Sequence, residues 1–355
     1  MPPDLRGVRV LLVGDWPPPL GGVSVHLRAL AEASRKAGAL VTILDVGKGQ
    51  HHGRDVVPSG REARFAASLL TLAARHDLTH LHTSGASPKS WTLTLSVGVA
   101  ARLVRARSVV TLHSGHAPPY LDATARALLA RAALSPYDRV VCVSEAISRA
   151  LSRIGAALDR HVVAPAFGRE GLVTGALPLE ASRFRQQHPV VVTAMLAPGR
   201  DYGAEELFRA IALLKRRGKP VALAVYGPET DSDAMALRAA EEGVGPFLRL
   251  GSIERPQALA LLETSDVFVR PTRIDGDAVS VREAMALGTK VVATRAGTRP
   301  AGVHLCRAGD AADLARALEA ALAAPAPGPR LGRDGIETVL GVYQRLARLS
   351  ARRAA

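Results

Sequence analysis

The sequence predicts an α/β protein made of two doubly wound, parallel-sheet lobes in series. Three observations carry this reading. Short apolar runs alternate with segments of helical spacing along most of the chain. Many of the runs lead through a Gly- or Pro-containing loop into the next helix, the succession that builds parallel sheets. The alternation lapses over residues 166–188 and restarts at 190, so two such units are expected, joined by a linker. At 355 residues the chain is long enough for two domains of ordinary size.

In the first half, residues 8–13 (V-R-V-L-L-V) read as a buried strand. Residues 14–22 (G-D-W-P-P-P-L-G-G) form a stiff loop ending in Gly21 and Gly22, where a ligand could approach the backbone closely; a plain tight turn is the alternative. Residues 23–37 place Val23, Leu27, Leu30, Ala31 and Ser34 on one helical face, and a strand follows at 40–44. The unit lacks G-x-G-x-x-G, so no dinucleotide is expected. Further strands are predicted at 78–82, 108–112, 139–143 and 161–164, with helices at 61–75, 88–104 and 121–133. His82 and His113 sit at carboxyl ends of strands, the end that faces ligands in open α/β sheets; a structural histidine is the alternative at each. Ser144 reads as a helix cap.

In the second half, strands are predicted at 190–195, 221–226, 247–250, 267–269 and 290–294, and helices at 204–215, 231–242 and 256–263. Tyr226-Gly227-Pro228 and Leu250-Gly251-Ser252-Ile253 are strand–turn pairs. The richest stretch is 266–300. Its strand leads through a polar loop around Gly276 into a helix, where Ser280 precedes Glu283 by three residues, the spacing of a capping box. A strand–loop–helix N-terminus binds phosphate, because free N–H groups and the helix dipole both face an anion there. Asp275 and Glu283 bracket the turn; as pure acceptors they suit sugar or ribose hydroxyls and would repel phosphate. A nucleotide-sugar combines both needs. The plainer alternative is a crossover with solvated Asp275 and Asp277 and a capping Glu283.

The run D-G-D-A-V-S-V-R-E-A-M-A-L-G-T-K-V-V-A-T resembles the Glu-x7-Glu signature of retaining family 4 glycosyltransferases, E-G-F-G-L-x-x-L-E-A-M-A-x-G-x-P-V-V-A-T, with Asp275 in place of the first Glu. Residues 18–31 resemble that family's P-x-x-G-G-x-x-x-H-x-x-x-L-A, with His26 in the His position, and T-L-H-S-G resembles its V-x-T-x-H. The resemblance implies a GT-B fold, two Rossmann-like lobes facing a central cleft. It implies an acceptor-side domain at 1–165, a linker at 166–188, a nucleotide-sugar-binding domain at 189–324, and a connector and helix at 325–355 packing back on the first domain. It places Asp275 on the donor-sugar hydroxyls, Glu283 on the ribose and His113 near the donor sugar. The amides of Gly276, Ala278, Val279 and Ser280 would meet the diphosphate with Gly21 and Gly22 nearby, and Gly227, Ser252 and Ile253 the base. The departing diphosphate would act as its own base, so no protein nucleophile is implied.

One departure is large. The family's G-R-L-x-x-x-K-G is A-M-L-A-P-G-R-D-Y-G here, with Ala197 for Arg and Tyr202 for Lys. Expelling a nucleoside diphosphate builds negative charge that must be stabilised. Arg200 is the nearest replacement cation, with Arg270, Arg273 and Arg282 as further candidates.

Bulk properties narrow the partners. Net charge is +14, with +9 in residues 1–175 and +5 in the rest. An Arg-rich composition explains this, as does an acidic partner: an anionic membrane surface, a phosphorylated acceptor or nucleic acid. Aromatics are only 4% and do not interleave with basic residues, so nucleic acid is not expected. Cys142 and Cys306 sit in apolar runs and fit a reducing cytoplasm. No run reaches the roughly 20 residues of a membrane span, and residues 8–13 are too short for a signal peptide's apolar region. No His/Cys cluster or metal-type D-x-D context is visible, so metal-independent transfer without a cofactor is expected. The expected partners are a UDP- or GDP-sugar donor and a glycan or lipid-linked acceptor, with acceptor contacts near 48–61 and 84–89. A degenerate nucleotide-sugar-binding protein and a GT-B epimerase are the alternatives. Residues 336–349 read as a basic amphipathic helix that packs back on the first lobe or lies on a membrane.

Overall fold

The computed structural model describes residues 3–354 except 19–20, 48–50, 52, 61, 157–158 and 170, with no side chains described at 62–63 and 350–354. The chain forms two compact units, one from residues 1–170 and 333–355, the other from residues 171–332.

Unit 1 holds seven strands: β1 (Arg9–Gly14), β2 (Leu40–Asp45), β3 (Val56–Pro58), β4 (Leu78–Thr83), β5 (Arg107–Leu112), β6 (Arg139–Cys142) and β7 (His161–Val163). All pair in parallel, in the order β3-β2-β1-β4-β5-β6-β7. In β1, Val13 lies between Leu44 of β2 and Leu81 of β4. Its helices are α1 (Gly22–Lys36), α2 (Glu62–Ala74), α3 (Pro88–Leu103), α4 (Ala117–Tyr120), α5 (Thr124–Leu134) and α6 (Glu145–Arg153). Because helices cover both faces, the strands are apolar almost throughout. Strand β4, L-T-H-L-H-T, is the exception: all six residues are buried, yet four are polar.

Unit 2 opens with α7 (Leu179–Gln187) and alternates β8 (Val190–Met195), α8 (Ala204–Arg216), β9 (Val221–Tyr226), α9 (Asp233–Glu241), β10 (Phe247–Arg249), α10 (Arg255–Thr264), β11 (Val267–Arg270), α11 (Val279–Ala286), β12 (Lys290–Thr294), β13 (His304–Cys306) and α12 (Ala311–Ala323). The six strands are parallel, in the order β10-β9-β8-β11-β12-β13. One core packs Leu207, Phe208, Ile211 and Leu214 of α8 and Leu314 and Leu318 of α12 on Val192, Val225, Val269 and Val292. The other face packs α10 and α11 on Phe268, Val291 and Ala293.

The last helix, α13 (Gly335–Ala354), belongs to unit 1. Ile336, Val339, Leu340, Val342, Tyr343 and Leu346 join the core of β1, β2 and α1. Each such burial contributes about 1.5–3 kcal/mol. Among the described residues, no helix is long and apolar enough to cross a membrane.

Some short elements differ from the expectation. The segment read as a linker contains α7, whose Phe184 packs on Val191, Ala222 and Ala224. With Ala181 its only buried residue, α7 leaves almost no periodic signal. The edge strands β3 and β13 are three residues each, too short to register as apolar runs. The helix expected at 121–133 begins at Thr124, after the separate turn α4.

Candidate functional site

In unit 2 the predicted donor-side residues other than Glu283 lie in the connections that follow the carboxyl ends of strands or at the helix start they lead into. Arg200 follows β8, Gly227 follows β9, and Ser252 and Ile253 follow β10. Asp275, Gly276, Ala278, Val279 and Ser280 occupy the β11–α11 connection and the start of α11. The strand order reverses between β8 and β11, and ligands bind at such a switch point.

Two glycines fix these loops. Gly227 has φ of 123°, and any Cβ there would overlap the Leu196 carbonyl of the loop after β8. Gly297 has φ of 71° and lies against the carbonyls of Asp275 and Gly276. Thr298 N–H then donates to the Gly276 carbonyl at 2.8 Å. Loops from four strands, β8, β9, β11 and β12, are thereby held in two pairs at the carboxyl edge of the sheet.

Asp275 is the hub of that edge. Its Oδ2 accepts from Arg270 Nε at 3.0 Å, Arg299 Nη2 at 3.0 Å and Thr272 Oγ1 at 3.1 Å. Oδ1 accepts the Gly276 N–H at 3.1 Å. Burial would raise its carboxyl, but Arg270 and Arg299 outweigh burial and hold it below the usual range. Asp275 is therefore ionised and its Oδ2 is filled; Oδ1 retains acceptor capacity.

Glu283 is buried on α11, and a single oxygen, Oε1, takes both Arg255 Nε at 3.0 Å and Nη2 at 2.8 Å. The expected capping box does not form. The N-cap is Ala278, the helix starts at Val279, and Ser280 lies inside the first turn. Asp277 fixes the start: it bridges to Thr298 and takes Arg282 Nε on both oxygens at 2.7 and 2.9 Å. Ala278 has no side-chain oxygen to cap the helix, and the Val281 N–H turns back to the Ala278 carbonyl at 3.2 Å.

The cations near this edge divide by their partners. Arg273 pairs with Glu206, Arg282 with Asp277 and Arg255 with Glu283. Arg270 and Arg299 share Asp275, which leaves one positive charge in excess. Arg270 also donates to Met195 Sδ at 3.4 Å and lies under the Tyr202 ring, 5.5 Å from its centroid. Arg200 is exposed. Both carboxylates of D-G-D face arginines, which makes the pair a poor divalent-ion site.

In unit 1, Gly21 is the N-cap of α1 with extended φ of −148°, and its N–H donates to Ser24 Oγ at 2.8 Å. Neither Gly21 nor Gly22 has positive φ, and a Cβ at Gly22 would meet nothing within 4 Å. Local packing does not require these two glycines. His113 follows β5, and its Nε2 shares a hydrogen bond with His82 Nδ1 at 3.1 Å. His26 lies beside both, with ring centroids 5.4 Å from His82 and 5.1 Å from His113. The expectation that the chain has no histidine cluster is thus corrected: α1, β4 and β5 bring together three histidines far apart in sequence. Both cysteines are buried with thiols pushed up to about 12, which excludes them as nucleophiles at neutral pH. In the loop expected near acceptor, residues 48–50, 52 and 61 lie outside the described residues; at 84–89, Ser87 caps α3.

Sequence reasoning missed Arg255 and Arg299. Their partners lie 28 and 24 residues away, and no local spacing marks such pairs. The run R-A-G-T-R-P after β12 gave the only signal, a cation at a strand end.

Residues 20–167 match the family model described as Glycosyltransferase Family 4, and residues 187–324 the one described as Glycosyl transferases group 1. Among curated relatives, the GDP-mannose-dependent alpha-(1-6)-phosphatidylinositol monomannoside mannosyltransferase of Mycolicibacterium smegmatis is 28% identical, over 82% of this chain and 81% of that one. The glycogen synthase of Mycobacterium tuberculosis is 25% identical, over 92% and 89%. Among solved structures, Anabaena Alr3699/HepE in complex with UDP superposes with a TM-score of 0.69 at 19% identity, covering 98% of this chain and 99% of that one. With two parallel-sheet units and a family 4 and a group 1 domain in succession, the chain is a glycosyltransferase of the GT-B fold.

Proposed function

We propose that the protein transfers a sugar, with retained anomeric configuration, from a UDP- or GDP-sugar held by unit 2 to a glycan or lipid-linked acceptor taken by unit 1. The carrying observation is the β11–α11 connection. It sets a helix start without a side-chain cap beside the half-buried Asp275 and buried Glu283 carboxylates, each with one oxygen lacking a charged partner among the described residues. Glu283 Oε2 then accepts from the ribose hydroxyls and Asp275 Oδ1 from a donor-sugar hydroxyl. The first-turn amides of Val279 and Ser280 meet the diphosphate, and Gly227, Ser252 and Ile253 border the base.

The missing Arg/Lys pair is replaced by Arg270 and Arg200. Arg270 carries the uncompensated charge and lies under Tyr202, which occupies the lysine position. Arg200 adds an exposed cation from the preceding loop. Together they offset the charge that grows on the departing diphosphate. On unit 1, Gly21 and Gly22 let a ligand approach the start of α1, and His113 at the end of β5 is the residue that the family resemblance assigns to the donor sugar. Relatives that use GDP-mannose or were solved with UDP support this donor class.

The acceptor-side unit also carries a surface suited to anionic lipid. α2, α3 and α5 expose Leu70, Val99, Leu103 and Leu128. Arg75, Arg102, Arg105, Arg126 and Arg131 are exposed on the same helices and the turns after them. Exposed apolar residues and arginines on neighbouring helices match an anionic membrane face, and a lipid-linked acceptor would be met there.

Thermal stabilisation across UDP-, GDP- and ADP-sugars, followed by NMR of the product anomer with the stabilising donor, tests the reading. One donor class should stabilise and give a product of unchanged configuration. An inverted product would remove the retaining mechanism, and stabilisation without transfer to any acceptor would favour the binding-protein alternative.

A further inference from the structure

The polar residues of β4 lead to a histidine cluster that shares only His113 with the proposed transfer site. His26 and His82 are 1% and 3% exposed. Among the described residues, both ring nitrogens of His26 and Nε2 of His82 have no hydrogen-bond partner. A buried polar atom left unpaired is destabilising, and native cores hold few of them. Three such atoms in one cluster call for an occupant.

The geometry says what kind. One nitrogen from each of His26, His82 and His113 lies within 4.8 Å of the other two. Burial pushes all three imidazoles well below the usual histidine range, His26 to about 4, so their lone pairs are unprotonated at neutral pH. The His80 ring lies 4.3 Å from that of His82, tilted by 37°, but its nitrogens are taken by the Tyr343 hydroxyl and by Thr111 Oγ1 at 2.7 Å. It braces the cluster rather than offering a fourth nitrogen. Three neutral imidazoles without a carboxylate suit a borderline divalent metal and not magnesium or calcium, which demand oxygen.

We propose that His26, His82 and His113 form a zinc site, with three imidazole nitrogens and a fourth position for water or another small ligand. Rotations of the outer rings bring the nitrogens into tetrahedral spacing, and the His82–His113 hydrogen bond gives way to two metal bonds. The ion links the first turns of α1 to the ends of β4 and β5. It thereby fixes the helix that begins at Gly21 and Gly22, and its main effect is to stabilise unit 1.

The test uses full-length, tag-free protein stripped with EDTA. Co2+ should bind at one equivalent with the visible bands of a tetrahedral site, Zn2+ should displace it, and Zn2+ but not Mg2+ should raise Tm. X-ray absorption should show about three imidazole nitrogens at about 2.0–2.1 Å. His26→Gln and His82→Gln should each lose the bands and the Tm rise, while His116→Gln, at an exposed position, keeps both. Absence of bands and of any zinc-induced Tm rise in the wild-type protein would overturn the site, and that result does not depend on any variant folding. Bands that persist in both glutamine variants would place the metal elsewhere and overturn it equally.

Discussion

Arg299 Nη2 donates to Asp275 Oδ2 at 3.0 Å, joining the loop after β12 to the loop after β11, and Arg270 reaches the same oxygen at the same distance. The residue placed on the donor sugar is also the anion that allows two part-buried guanidiniums to coexist. Removing it leaves them uncompensated, which costs about 3–5 kcal/mol. Asp275→Ala should therefore lower stability by that order in urea unfolding, besides abolishing transfer. A loss below about 1 kcal/mol would show the triad to be solvated.

The same pairing sets an acid limit. The folded-state carboxyl of Asp275 is lowered, so its contribution is complete above the unfolded value of about 3.9. It is lost as pH falls through the depressed folded value. Asp275→Asn should flatten that part of the acid-unfolding curve for unit 2. Superimposable acid limbs for the two proteins would exclude the linkage.

Much of the fold was legible in the sequence because parallel strands buried on both faces are unbroken apolar runs. Residues 190–195 and 221–226 were found to the residue as β8 and β9. The site was legible where chemistry is local: Asp275, Gly276 and Glu283 lie in one strand–loop–helix. It was illegible where chemistry is tertiary. Arg255 meets Glu283 and Arg299 meets Asp275 only after the strands are stacked. His26, His82 and His113 become neighbours only because β1, β4 and β5 are adjacent in the sheet. The supposed Ser280 cap failed because three-residue spacing cannot reveal that Asp277, pinned by Arg282 and Thr298, starts the helix at Val279.

Gly21 and Gly22 offer a separation of folding from function. No steric contact or positive φ demands glycine at Gly22, and Gly21 is extended. Gly22→Ala should leave stability within about 0.5 kcal/mol and lower kcat/KM at least tenfold, read by calorimetry and initial rates. Unchanged kinetics would make the pair a simple turn.

The cation inventory predicts unequal arginines. Arg200→Ala should reduce kcat more than Tm, because Arg200 is exposed. Arg282→Ala should mainly reduce Tm, because its guanidinium holds Asp277 on both oxygens. Equal effects of the two on kcat and on Tm would contradict the division.

The three-helix face of unit 1 should bind vesicles containing phosphatidylglycerol and not pure phosphatidylcholine, with binding weakened by salt. Replacing Leu103 and Leu128 by Ser should lower sedimented protein severalfold. Salt-independent binding, or binding unaffected by both substitutions, would exclude this face.

The central claim, a nucleotide held at the start of α11 with its ribose on Glu283, is tested most directly by isothermal titration of UDP and GDP into wild-type protein and Glu283→Ala. One nucleotide should bind the wild type, and the variant should lose about 1.5–3 kcal/mol, the worth of a hydrogen bond to a charged group. An unchanged Kd in the variant, or no binding of either nucleotide to the wild type, would contradict the account.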